Sequence, residues 1–282
     1  MTSKIIDGKK IAEKIINELK SKIKNLKQKP GLALVLVGNN PASEIYVGSK
    51  EKAFKEVEGY CERHNLDESA SEMELLNLIN QLNNNPKIHG ILVQLPLPRQ
   101  IDENLVTNSI LPHKDVDGFT SLSLGHLFSG HEIIVPATAR AVIHLIESTG
   151  IKIEGKNAVV VGRSNIVGKP VAIMLLEKNA TVTICHSKTK NLAEHTKKAD
   201  ILVAAVGKPK LITKEMVKEG AVVIDVGINR VGNKIIGDVD FENVKEVAGF
   251  ITPVPGGVGP MTIAMLMENT LKAMELAEKV RY

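Results

Sequence analysis

The chain reads as an α/β protein of two domains built on parallel sheets. Three observations predict this. Continuous apolar runs of strand length alternate with amphipathic helical stretches, the alternation occurs in both halves, and 282 residues exceed one ordinary domain. Hydrophobic residues make up 43% of the chain, enough for two cores. Aromatics are only 3% and Trp is absent, so those cores are aliphatic.

Taken in order, the lysine-rich stretch from Lys9 to Lys29 carries Ile11, Ile15, Leu19, Ile23 and Leu26 at helical spacing. Its lysines form a solvated helix face. The run LALVLV is a buried strand, followed by a GNNPA turn and a helix over Ser43–Glu58 with Ser43 as N-cap. A second helix spans Glu72–Leu82 and ends at Asn83-Asn84-Asn85-Pro86. GILVQL is the next buried strand, stopped by Pro96 and Pro98. A short helix (DENLVTNSI) and a polar loop (PHKDVDGF) follow, and PATARAVIHLIESTG reads as a connecting helix. The second half alternates more cleanly: NAVVVG, helix, TVTIC, helix, DILVAAVG, short helix, AVVIDVG. A long helix from Thr262 closes the chain.

Composition excludes several classes. The net charge of +4 comes from lysines mixed among glutamates, with no basic stripe interleaved with aromatics, so nucleic acid is not an expected partner. Cys61 and Cys185 offer neither a disulfide framework nor metal-ligand spacing, and no metal is expected. No signal pattern or membrane-length apolar run is present, which predicts a cytoplasmic protein away from membranes.

The segment AVVVGRSNIVGKP joins a buried strand to a glycine turn and a helix, the context of a dinucleotide-binding fingerprint. Gly162 permits the tight turn, Ser164 stands where a second glycine is usual, and Gly168 lets the helix approach closely. The helix start is expected to offer free N–H groups to a phosphate. An NAD site would carry an acid at the end of the next strand. Here that strand ends Cys185-His186-Ser187-Lys188, and Arg163 sits in the turn. A cation with hydroxyls and no carboxylate favours NADP; the simpler reading of Arg163 is a brace for the turn. The turn Gly227-Ile228-Asn229 follows a later strand and would face the nicotinamide side, while Asp225 reads as a strand-end hydrogen-bonding residue.

Tyr46 and Lys50 lie at i and i+4, so a helix puts ring and amine on one face, suited to stacking on a flat substrate and moving a proton beside it. Alone, this pair would be a half-buried Tyr beside a solvated Lys. Gln94 is a single amide in an apolar strand and needs partners, either in the core or on a ligand. Asp115 and Asp117 precede a glycine; either serves as a turn residue, or one carboxylate binds paired N–H donors of a heterocycle. Pro255-Gly256-Gly257-Val258-Gly259-Pro260 brings backbone unusually close, more than a plain linker needs.

In order along the chain, GNNPASEIYVGSK, GILVQLPLP, KDVDGF, GRSNIVGKP, CHSKT, DVGINR and PVPGGVGPMT resemble the motifs of the bifunctional methylenetetrahydrofolate dehydrogenase/cyclohydrolase family over nearly the whole length. The resemblance implies two α/β domains around a cleft: residues 1–138 with 262–282 binding folate, and a Rossmann-like domain, 139–261, binding NADP. The last helix would return to the first domain. It implies oxidation of 5,10-methylenetetrahydrofolate with NADP, then hydrolysis to 10-formyltetrahydrofolate, in a homodimer. By the same resemblance Lys50 is the acid/base of the hydrolysis, helped by Gln94; Tyr46 stacks on the folate and Asp117 binds the pterin. Val93, Leu95, Pro255, Gly256, Gly257, Val258 and Gly259 contact substrate. Gly162, Arg163, Ser164, Ser187 and Ile228 contact the cofactor. Where the family usually reads P-C-T-P-x-G, this chain has Pro136-Ala137-Thr138-Ala139-Arg140-Ala141, residues suited to a smooth helix start. Two rivals are a shikimate- or amino-acid-type NADP dehydrogenase and a non-catalytic folate- or NADP-binding protein.

Overall fold

The computed structural model describes residues 3–131, 133–232 and 234–280. The elements run β1 (Lys4–Ile5), α1 (Gly8–Lys24), β2 (Gly31–Val37), α2 (Pro41–Glu56), β3 (Tyr60–Leu66), α3 (Glu72–Asn84), β4 (Gly90–Val93), α4 (Glu103–Ser109), α5 (Ser121–Phe128) and α6 (Ala137–Glu147). They continue with β5 (Asn157–Val161), α7 (Gly168–Glu177), β6 (Thr181–Cys185), α8 (Leu192–Thr196), β7 (Ile201–Ala204), β8 (Val222–Asp225), β9 (Asn229–Val231), β10 (Lys234–Ile236), α9 (Phe241–Val244), β11 (Phe250–Ile251) and α10 (Val258–Val280). The chain divides into two units: one joins the segment ending at Glu13 to Thr138–Thr262, the other joins Lys14–Ala137 to the segment from Ile263 onward.

In the unit containing Lys14–Ala137, β2 is the central strand of a parallel sheet ordered β3-β2-β4. Every residue of β2 is buried, as its unbroken apolar run requires. Ala33, Val35, Val37, Ile91 and Val93 pack with Leu75, Ile79 and Leu82 of α3 and Val106 of α4. The helix α2 packs against β2 and β3. Its N-cap is Asn40, whose side chain accepts from the Ala42 and Ser43 amides, with Pro41 at the first helical position. This corrects the expected Ser43 cap: Ser43 is buried inside the first turn. The strand β3 was not expected. It lies at the sheet edge and is mostly half-buried, so its sequence YCERHNL lacks the apolar signature. The helix α5, capped by Thr120, was likewise not expected. The final helix belongs in part to this unit. Asn269 of α10 is fully buried and donates through Nδ2 to the carbonyls of Val116, at 2.8 Å, and Val135, at 2.9 Å.

The other unit carries a six-stranded parallel sheet ordered β1-β11-β8-β7-β5-β6. One face is a core of Val159, Val161, Leu202, Ala204 and Val223, packed with Leu192 of α8 and Val244 of α9. Cys185, expected in the core, is buried there. From β5 the chain moves outward to β6, then returns past β5 to β7 and β8. The point between β5 and β7 is therefore the topological switch, where such sheets hold ligands at their carboxyl ends. The N-terminal strand β1 pairs with β11 in this sheet, so the segment before Glu13 clusters with this unit rather than with residues 14–137.

Candidate functional site

Four of the expected residues converge in the unit containing Lys14–Ala137. Tyr46 and Lys50 sit one turn apart on α2, both half-buried. Gln94 follows β4 directly, its amide bonded to the Val35 carbonyl at 2.8 Å. Strand alternation sends Val93 into the core beside α3 and Gln94 to the opposite face, toward α2. Val93 can thus offer a ligand only its backbone. Lys50 Nζ donates to Gln94 Oε1 at 3.2 Å, and Gln94 Nε2 donates to the Leu95 carbonyl at 2.7 Å. The Leu95–Pro96 peptide is cis.

The two aspartates of the KDVDGF loop divide their labour. Asp115 is buried and accepts from the amides of Gly118, Phe119 and Thr120 and from the Ser123 hydroxyl. It organises the turn. Asp117 is half-buried, and its carboxylate has no hydrogen-bond partner among the described residues. Burial raises its pKa; the Lys50 ammonium opposes this and the Asp115 charge reinforces it. Burial also raises the Tyr46 phenol. An amine, a fixed amide, an aromatic ring and an unpartnered carboxylate can together hold a flat heterocycle and exchange a proton with it.

The second group lies at the switch point of the six-stranded sheet. Gly162 has φ +136°, and a Cβ there would lie 2.2 Å from the Ala205 carbonyl oxygen. A Cβ on Gly168 would lie 2.3 Å from the Gly162 oxygen, so the helix approaches the turn as closely as the fingerprint predicts. The Gly162 amide bonds to the Cys185 carbonyl at 2.8 Å, which sets Arg163 beside the His186-Ser187-Lys188 segment. Arg163, Ser187 and Lys188 are exposed, and no carboxylate ends β6. One expectation needs correction. The start of α7 does not present free N–H groups at Val167 to Lys169. Ser164 Oγ accepts from Val167 and Gly168, and the Ser164 carbonyl accepts from Lys169. The Ser164 hydroxyl proton remains as a donor. The mouth thus fits a 2′-phosphorylated dinucleotide: a cation and hydroxyl donors stand outside a glycine turn too tight for side chains.

The turn bearing Ile228, itself exposed, is built by two buried carboxylates: Asp225, expected as a strand-end hydrogen-bonding residue, and Asp238, which the sequence does not single out. Asp225 Oδ1 accepts from Gly227 and Asp238 amides, and Oδ2 from Val239. Asp238 accepts from Val206, Gly207 and Lys208 amides and from Asn229 Nδ2, joining the loops after β7 and β8. Burial pushes the Asp225 carboxyl up to about 6, against the pull of its three backbone donors. In the PVPGGVGP segment, Gly256 has φ +110° and its carbonyl accepts from the Lys9 amide. A Cβ on Gly8 would lie 2.0 Å from the Gly257 oxygen. Gly257 and Val258 are buried, Pro255 is exposed, and α10 begins at Val258, earlier than the expected Thr262. A Cβ on Gly259 would meet open space.

A Rossmann-type unit with a phosphate-binding mouth, in one chain with a second parallel α/β unit holding a lysine, an amide and a carboxylate without a hydrogen-bond partner among the described residues, defines a two-domain enzyme dependent on a pyridine nucleotide. The family model for the catalytic domain of tetrahydrofolate dehydrogenase/cyclohydrolase matches residues 6–117, and that for its NAD(P)-binding domain matches residues 136–278. The chain belongs to the tetrahydrofolate dehydrogenase/cyclohydrolase family. The bifunctional protein FolD of Moorella thermoacetica is 58% identical over 277 residues, covering 97% of this chain and 99% of the relative. The crystal structure of the bifunctional FolD enzyme from Campylobacter jejuni matches with TM-score 0.95 and 49% identity over 98% of this chain and 99% of that one. The Trypanosoma brucei dehydrogenase-cyclohydrolase, complexed with NADP cofactor and inhibitor, matches with TM-score 0.96 and 36% identity over 99% of each chain.

Proposed function

We propose that this protein oxidises 5,10-methylenetetrahydrofolate with NADP and hydrolyses the resulting 5,10-methenyl compound to 10-formyltetrahydrofolate. The observation that carries the reading is the Lys50–Gln94 hydrogen bond beside the unpartnered Asp117. When bound, NADP supplies the hydride acceptor. The chain's part in that step is alignment, because the carbon losing hydride is already stabilised by two nitrogens. Asp117 accepts paired N–H donors of the pterin, and the Tyr46 ring stacks on it. Arg163, the Ser164 hydroxyl and Ser187 hold the 2′-phosphate.

In the hydrolysis, water adds to the methenyl carbon. Lys50 takes a proton from that water and returns it to the ring nitrogen as the carbon–nitrogen bond breaks, and the remaining hydroxyl proton leaves to solvent as the formyl carbonyl forms. Gln94, held by the Leu95 carbonyl, keeps the amine in place.

The proposal extends to a cytoplasmic homodimer whose formyl product feeds purine biosynthesis. Among the described residues the outer edge of β3 is unpaired. An unpaired edge of this kind can pair with the same edge of a second copy. Two free cysteines agree with a reducing compartment.

The test is an assay of the purified protein with 5,10-methylenetetrahydrofolate and NADP or NAD, following reduced cofactor, methenyl and formyl products, with light scattering for the oligomer. NADPH and 10-formyl product are expected. Methenyl accumulating beyond spontaneous hydrolysis would remove the cyclohydrolase half, and no reduction with either cofactor would favour a folate- or nucleotide-binding protein.

A further inference from the structure

Among the described residues no hydrogen bond holds the Asp117 carboxylate, yet a substrate anchor must be held to a fraction of an ångström. Its position has to come from the backbone on either side. On the C-terminal side, Asp115 Oδ1 fixes the Gly118 and Phe119 amides at 3.0 and 3.1 Å. A Cβ on Gly118, at φ +72°, would lie 2.6 Å from the Pro136 nitrogen, so the loop also rests directly on the Val135-Pro136 backbone.

On the N-terminal side the restraint comes from the last helix. The Val116 carbonyl lies in the same rigid plane as the Asp117 amide nitrogen and Cα. Asn269 Nδ2 donates to that carbonyl at 2.8 Å and, with its other proton, to the Val135 carbonyl at 2.9 Å. One buried amide thus ties the peptide before Asp117 to the strap on which Gly118 rests. The Val116 side chain is also confined: a Cβ on Gly90 would lie 2.5 Å from Val116 Cγ1 and 3.3 Å from Thr270 Cγ2.

We propose that Asn269 is a positioning residue for substrate binding, acting through the Val116–Asp117 peptide. The proposal rests on Asp117 being the substrate anchor. It assigns a role in the folate site to a residue that touches no substrate.

The test is a double-mutant cycle of Asn269→Ala and Asp117→Asn, with the KM for 5,10-methylenetetrahydrofolate, the NADP dissociation constant and thermal melting measured for each. Asn269→Ala is expected to raise the folate KM about tenfold, the equivalent of ~1.4 kcal/mol. In the Asp117→Asn background it is expected to raise it less than about twofold, since coupled residues are non-additive. NADP affinity is expected to stay constant in both backgrounds. An equal KM rise in both backgrounds, or a lower melting temperature with unchanged KM, would overturn the proposal. If Asp117→Asn alone leaves KM unchanged, the anchor reading itself fails, which is a distinct result and removes the basis of the proposal. If Asn269→Ala does not fold, the cycle uses Asn269→Ser, which keeps a donor for one carbonyl, and the same coupling is required. Failure of both variants to fold assigns the amide to stability alone and counts against the proposal.

Discussion

Lys50 reaches across from α2 to the end of β4 and donates to Gln94 Oε1 at 3.2 Å, while the Gln94 amide nitrogen is held by the neighbouring Leu95 carbonyl at 2.7 Å. The amide cannot rotate without losing a bond, so it presents only its oxygen to the lysine. That asymmetry leaves the lysine's remaining hydrogens for a ligand.

Lys50→Met removes the proposed proton carrier and keeps the helix. Hydrolysis of the methenyl substrate is expected to slow by about 10²–10⁴-fold, the usual contribution of a positioned acid or base. Hydride transfer loses less, because it depends on alignment. Separate assays of the two half-reactions check this, and full methenyl-to-formyl conversion by the variant would remove Lys50 from the mechanism.

Arg163→Ala should erase much of the preference between the two nicotinamide cofactors. Losing a hydrogen bond to a charged phosphate weakens NADP binding by about 10- to 100-fold. NAD, which lacks that phosphate, is affected little. The ratio of kcat/KM for NADP and NAD is the measurement; an unchanged ratio would leave Arg163 as a brace for its turn.

Gly168→Ala places a methyl 2.3 Å from the Gly162 oxygen and 2.8 Å from the Arg163 nitrogen, both backbone atoms. The turn must move. We expect a stability cost of about 1–3 kcal/mol, typical of overpacking, with weaker NADP binding and methenyl hydrolysis affected far less. Calorimetric titration with NADP, beside a thermal melt, separates the effects; wild-type NADP affinity would contradict the prediction.

Asp225 makes stability depend on pH in an unusual direction for a carboxylate. Its pKa is pushed up to about 6 from the ordinary 3.8, so the native state holds the proton more tightly than the unfolded chain does. Its contribution is therefore full below about pH 4 and is lost as pH rises through about 6. Relative to Asp225→Asn, the wild type should lose up to about 3 kcal/mol across that interval. Urea melts of both proteins at several pH values measure it, and a pH-independent difference would refute it.

Much of this was legible in the chain itself. β2, β4, β5, β7 and β8 announce themselves because both faces are buried and their residues are apolar, apart from Asn157 at the start of β5 and Asp225 at the end of β8. β3 does not, because an edge strand tolerates Glu62, Arg63 and Asn65. The two-residue β1 and the β9–β10 hairpin are set by distant partners and turn geometry rather than by pattern. Tyr46 and Lys50 could be found by their helical spacing, and Gly162 by its strand–turn–helix context. The division between Asp115 and Asp117 could not, since it depends on which carboxylate the Gly118, Phe119 and Thr120 amides select. Asn269 left no signal, because Glu268 and Thr270 flank it and the triplet reads as an ordinary polar stretch of a helix. Ser164 was read as a phosphate ligand, and its second task of capping α7 appears only in three dimensions.

The bond from Asn269 to the Val116 carbonyl spans 153 positions. During synthesis from the N-terminus, the loop that carries Asp117 therefore leaves the ribosome long before the residue that pins it. The unit that carries Asp117 waits for α10, whereas the six-stranded sheet has all its strands once β11 has emerged. A nascent chain stalled ahead of α10 would hold every strand of the six-stranded sheet yet lack the side-chain amide that pins the peptide before Asp117.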